Sequence, residues 1–204
     1  MPERRSNQER SRTTQDKLIA AARRLFEQHG YAAAAIDDIA RTAGVTRGAI
    51  YHHFGGKQQL FRAVIEDIQD ELADHVDRNA EKHDDPWDAF IAGWISFLEQ
   101  SPTAGIGRVL MLEGPVVLGY RDWQSIDDAH FKDTVTRAVN YFMEQGTISR
   151  QPVEPLVRVL LAISNALGTL IADSDDAEST RAGVAPVWAQ LLGGLQNPLS
   201  NLDP

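Results

Sequence analysis

Residues 36–61, IDDIARTAGVTRGAIYHHFGGKQQLF, constrain the fold more than any other part of this 204-residue chain. Ile39, Ala40 and Ala43 fall on one face of a short helix, and Gly44 follows as the residue that lets a helix end in a left-handed turn. Val45 anchors that turn. Thr46 offers a side-chain oxygen to cap the second short helix, Arg47 to Phe54. Two short helices so closely joined form a helix-turn-helix, whose second helix lies in the DNA major groove. There Gly48 and Ala49 permit close approach, while Arg47, Tyr51, His52, His53 and then Lys57 supply hydrogen-bond donors for phosphate oxygens and base edges. A plain surface hairpin of helices has the same geometry, so the weight rests on these side chains.

The run AGVTRGAIYHHFGGKQQLF resembles the signature of the TetR-type transcriptional regulators, and the resemblance covers roughly residues 12–72. It implies an all-α protein of about nine helices: an N-terminal three-helix DNA-binding unit, a long connecting helix, and a C-terminal helical ligand-binding and dimerisation domain. It further implies a homodimeric repressor that binds double-stranded operator DNA and releases it when a small-molecule effector enters the C-terminal domain. The matching positions imply DNA contacts at Thr46, Arg47, Gly48, Ala49, Tyr51, His52, His53 and Lys57, with Tyr51, His53 and Lys57 on phosphates and Arg47 and His52 on bases. One departure stands out. Ala34 and Ala35 occupy places where the family usually has Thr or Ser, and a missing cap oxygen costs about 1 kcal/mol. Asp37 and Asp38 in the first turn offset part of this through the helix dipole. Asp37 also places a negative charge towards DNA, which keeps a second reading open: a helical ligand- or protein-binding dimer with weakened DNA binding.

Charge supports an asymmetric molecule. Residues 1–62 carry eleven Lys and Arg against six Asp and Glu, whereas the remainder carries nine against twenty-three. A basic end on an acidic body suits a protein that meets a polyanion at one end only, although an acidic body alone is also an ordinary solvated surface.

The pattern divides the chain into a flexible basic arm (1–12), a DNA-binding domain (13–56, motif about 35–54), a connecting helix (57–84) and a ligand-binding and dimerisation domain (85–204). The arm is either a source of phosphate or minor-groove contacts or a solubilising tail. Thr13 or Thr14 is expected to cap the first helix, which runs to about Gln28. Leu60, Phe61, Val64, Ile65, Ile68, Leu72 and Val76 keep one apolar stripe along the connecting helix, which no Gly or Pro interrupts. Gly114-Pro115 reads as a break between a helix over 103–113 and a short piece about Val116 to Tyr120.

Residues 153–172 are apolar on nearly every side, and a final helix carries a second stripe. These two helices predict a four-helix dimer interface through Leu160, Leu167, Ile171, Val184, Trp188 and Leu191, unless the same residues fill a monomer core. Candidate effector contacts are Trp94, Phe97, Met111, Glu113, Tyr141 and Asn165, polar groups set among aromatics on several helices. Ordinary core packing accounts for the aromatics equally well. No phosphate loop, nucleophile elbow or zinc-ligand spacing is present, so no enzyme activity, cofactor or metal is expected. The absence of Cys suits a reducing cytoplasm. No run is expected to span a membrane, and the start lacks the apolar core of a signal peptide.

Overall fold

The computed structural model describes residues 7–100 and 105–197. Helix α1 (Asn7–Ala33) leads into α2 (Ile36–Ala43), α3 (Arg47–Phe54) and α4 (Lys57–Ala80). Then follow α5 (Pro86–Gln100), a π-helical turn (Arg108–Glu113), α6 (Gly114–Leu118), α7 (Tyr120–Glu144), α8 (Val153–Ala172) and α9 (Ala177–Gly193). Among the described residues the only β pairing is an isolated bridge between Ile148 and Gln196, so the protein is all-α.

Helix α1 starts earlier than its sequence suggests. The Thr13 and Thr14 hydroxyls donate to the carbonyls of Glu9 and Arg10, at 2.8 and 2.9 Å, which places both inside the helix rather than at its cap. Residues 7–12 of the expected arm are therefore helical, and residues 1–6 lie outside the described part. Helical geometry breaks at Gly30, whose φ of 80° and ψ of 165° exact a strain from any residue with a Cβ. The chain then turns so that Tyr31 meets Phe61 and Phe26, ring centroids 4.9 and 5.7 Å away. With Leu18, Ile39, Ile50 and Leu60, all fully buried, these rings form the core of the N-terminal unit. Gly44 ends α2 in the left-handed region (φ 68°), its N–H and that of Val45 reaching back to Arg41 and Ala40. Ala35 precedes α2 without any side-chain cap, as its methyl requires. Thr46 also makes no capping bond, so its expected capping role is absent and the hydroxyl stays exposed.

Helix α4 packs on α1 and α3 at its start and on α5 and α7 beyond. Asp85 fixes the next turn by accepting from the N–H groups of Trp87 and Asp88 at 2.8 and 2.9 Å, with Pro86 opening α5 where no N–H is needed.

Gly114-Pro115 does not break the chain. The π-helical turn shifts register at Gly114, so that Pro115 falls in the first turn of α6, where a missing N–H costs nothing. The interruption comes at Gly119 (φ 84°) instead. Gly114 is small because Trp123 lies across it: a Cβ there would sit 2.7 Å from Trp123 Cδ1. The indole N–H donates to the Leu110 carbonyl at 2.8 Å, tying α7 to the π-helical turn.

Helix α8 is long and apolar enough to cross a membrane by length and composition alone. It packs here against α5, α7, α9 and the π-helical turn. Its inner face carries Leu160 and Ile171, 3% and 0% exposed, and α9 contributes Trp188 at 1%. Those three expected interface residues belong to the protomer's own core. Leu167 and Val184 are half-buried and Leu191 is exposed. The apolar surface that remains uncovered comprises Val159 and Leu170 on α8 with Val187 and Leu191 on α9, each more than half exposed.

Candidate DNA-reading face and effector cavity

Ile50, fully buried, pins α3 to the core and turns its other side outward. Thr46, Arg47, Gly48, Tyr51 and His52 are exposed there, while Ala49, His53 and Lys57 are half-buried. Arg47 is not free. Its guanidinium donates to the Tyr51 hydroxyl at 3.2 Å and to both Asp37 carboxylate oxygens at 3.5 Å. Asp37 therefore acts first on Arg47, shielding a donor that would otherwise face DNA. The rings of His52 and His53 stand 5.0 Å apart and edge-on, in contact with each other. Lys57 Nζ sits 4.4 Å above the Tyr31 ring and 3.5 Å from the Ala32 carbonyl. Burial lowers its pKa, and the negative charge of Glu113 acts the other way.

A cavity of about 420 Å³ lies among α4, α5, α7 and α8. Of the six expected effector contacts, Trp94, Phe97, Tyr141 and Asn165 lie on its wall. Met111 and Glu113 do not. Met111, within the π-helical turn, is 2% exposed in the core, and Glu113 turns to the Tyr31 N–H. Phe90, Phe131 and Phe142 complete the aromatic wall, with Phe97 and Phe131 edge-on at 5.6 Å.

Two buried polar wall residues were not singled out from the sequence, Asp127 and Ser164, each 2% exposed. Asp127 Oδ2 accepts from Asn165 Nδ2 at 2.9 Å and Oδ1 from Gln69 Nε2 at 3.3 Å. Burial pushes its pKa up to about 6, against the pull of those two amides. The signal for it was present: Trp123, Ile126 and Asp127 share the buried stripe of α7, and a carboxylate on such a stripe is out of place.

The π-helical turn joins the two regions. Glu113 Oε2 accepts from the Tyr31 N–H at 2.9 Å, just past the Gly30 kink. Arg108 Nη2 donates to the carbonyls of Phe26 and Glu27, at 3.1 and 2.6 Å, just before it. A carboxylate and a guanidinium thus bind backbone groups on either side of the kink. Gln58 Nε2 adds a bond to the Val117 carbonyl at 2.6 Å. Among the described residues no group of His, Asp and Glu is placed to hold a metal ion.

Comparison with known proteins agrees with this arrangement. Residues 18–64 match the family described as "Bacterial regulatory proteins, tetR family", and residues 87–195 match "Tetracyclin repressor-like, C-terminal domain". Over 198 residues the chain is 28% identical to the A-factor receptor protein of Streptomyces griseus, covering 95% of this chain and 67% of that one. It is 41% identical over 81 residues to the HTH-type transcriptional regulator TtgR of Pseudomonas putida, covering 40% of this chain and 38% of that protein. The crystal structure of a TetR-family transcriptional regulator from Pectobacterium atrosepticum superposes with a TM-score of 0.82 at 27% identity, covering 98% of this chain and 100% of the other. These relatives are regulators rather than enzymes, and with both of its halves matched the chain belongs to the tetR family of bacterial regulatory proteins, as a DNA-binding transcriptional regulator.

Proposed function

We propose that the protein works in the cytoplasm as a homodimeric repressor, released from its operator when a small, largely apolar molecule occupies the cavity between α4, α5, α7 and α8. The observation that carries the reading is the pairing, on one α4, of an exposed donor-bearing helix at one end with an aromatic cavity at the other. In the dimer, α8 and α9 meet their copies through Val159, Leu170, Val187 and Leu191. The two α3 helices then enter successive major grooves on one DNA face. Leu170→Asp combined with Val187→Asp is expected to give folded monomers that lose operator binding. Light scattering and a gel shift on the protein's own promoter region check this together; monomers with undiminished affinity for the full palindrome would overturn it.

The Asp37–Arg47 pair favours a second reading, in which DNA affinity is weak and the dimer acts through its ligand or a protein. The same gel shift separates the two, because that reading requires no specific complex at micromolar protein.

A further inference from the structure

Resting on the reading of the cavity as the effector site, we propose that the effector is an organic cation, an apolar body carrying one ammonium group that docks on Asp127 and Ser164.

The argument starts from a charge without a counter-ion. Asp127 is 2% exposed, and its two oxygens each receive one amide N–H, from Asn165 and Gln69. Those amides carry no charge. The basic side chains nearby are otherwise engaged: Arg158 on α8 pairs with Asp128 and Glu154, while His130, three residues along α7, bonds the Ile126 carbonyl and Asp70 and acts on Asp127 only through space. Among the described residues no cation forms an ion pair with Asp127. A buried carboxylate is stable in its ionised form only when paired, so this cavity wall lacks one positive charge.

The rest of the cavity fits that missing group. Ser164 Oγ, on the same wall, has no hydrogen-bond partner and offers a second acceptor for an N–H. Phe90, Trp94, Phe97 and Phe131 present aromatic surface, which attracts a cation as well as an apolar body. Exposed Asp77 and Arg137 at the rim carry opposite charges and leave Asp127 to set the sign within. An anion of the same shape meets repulsion, and a neutral molecule gains the apolar walls alone.

Three probes with one body and three charges test this: 4-phenylbutylamine, 4-phenylbutanol and 4-phenylbutyrate, titrated calorimetrically into the full chain at pH 7.5. The amine is expected to bind at least about tenfold more tightly than the alcohol, with the acid weakest. Asp127→Asn is expected to bring the amine down to the alcohol's level and to leave the alcohol unchanged, which also reports that the variant is folded. Equal affinities for amine and alcohol in the wild type, or an amine preference that survives Asp127→Asn, would overturn the proposal while leaving the cavity as the effector site. Binding of none of the three would overturn both.

Discussion

Phe26, Tyr31 and Phe61 in the N-terminal unit and Phe90, Trp94, Phe97 and Phe131 around the cavity are aromatic sets with similar ring separations, 4.9–5.7 Å in the first and 5.6–5.9 Å in the second. The first set closes upon itself: Phe26 and Phe61 are fully buried and stack edge-on at 5.1 Å. The second meets in pairs and encloses a void of about 420 Å³. In the N-terminal unit, function therefore lies in what the core leaves outside, on the exposed side of α3. In the C-terminal half it lies in what the core leaves unfilled. Stability and binding compete little in the first region and directly in the second.

The largest effect that sharpens this contrast is on packing. Phe61→Ala is expected to cost about 3–5 kcal/mol in urea unfolding, because it opens a hole in a closed cluster. Phe131→Ala is expected to cost less than half as much, since its ring is half-buried and one side already borders the void. Equal losses would erase the distinction.

Asp127 comes next and tests the cost of keeping a charge in that void. Its folded pKa of about 6 lies above the usual 3.8, so the folded state holds the proton more tightly than the unfolded chain. Below about pH 4 both states are protonated and this contribution is complete; it is lost as pH rises through 6. The shift corresponds to about 2–3 kcal/mol. Asp127→Asn removes the dependence. Its new N–H₂ also has a partner, because the buried Gln69 Oε1 accepts no hydrogen bond at present and a flip of that amide presents it. The variant is expected to gain on the wild type by this amount between pH 4 and pH 8 in denaturant titrations. A gain independent of pH would refute the assignment.

On the outer face the effects should fall on binding and spare stability. Arg47→Ala is expected to relax preference at one base position at a cost of about 1–3 kcal/mol. Lys57→Ala should weaken all sequences alike and reduce the salt slope by about one phosphate's worth. Fluorescence anisotropy across a salt series reads both, and unchanged slopes for Lys57→Ala would contradict its placement on a phosphate. The smallest effect is Asp37→Asn. With that carboxylate neutral, Arg47 is released towards DNA, and operator affinity should rise by less than about 1 kcal/mol. A loss of affinity would mean that Asp37 orients Arg47 instead of shielding it.

The same contrast explains what the sequence disclosed. Residues 36–61 were legible because their chemistry is local: Gly44 sets a turn, Ile39 and Ile50 bury, and the donors left over face outward. The cavity was legible only in part, because Trp94 and Phe97 on a wall and Met111 in a core obey the same helical periodicity. Leu160, Ile171 and Trp188 were misplaced for a related reason: α8 is apolar all round, so periodicity cannot say which side meets its own protomer. Glu113 was recognised as a carboxylate out of place, but its partner, the Tyr31 N–H, is 82 residues away and no local pattern announces it. Gly114-Pro115 misled because a π-helical register shift has no compositional signature, and Thr13 and Thr14 because a hydroxyl that can cap a helix can also bond back within one.

The grip of Arg108 and Glu113 on the Gly30 kink bears on how far this protein can be taken apart. A hybrid regulator made by grafting residues 1–84 onto another effector domain would carry the kink without its two holders, leaving the Tyr31 N–H and the Phe26 and Glu27 carbonyls to find other partners. The natural seam for such engineering does not follow the chain. It runs around the π-helical turn, so the interchangeable part is residues 1–84 together with Arg108, Glu113 and the receiving surface they stand on.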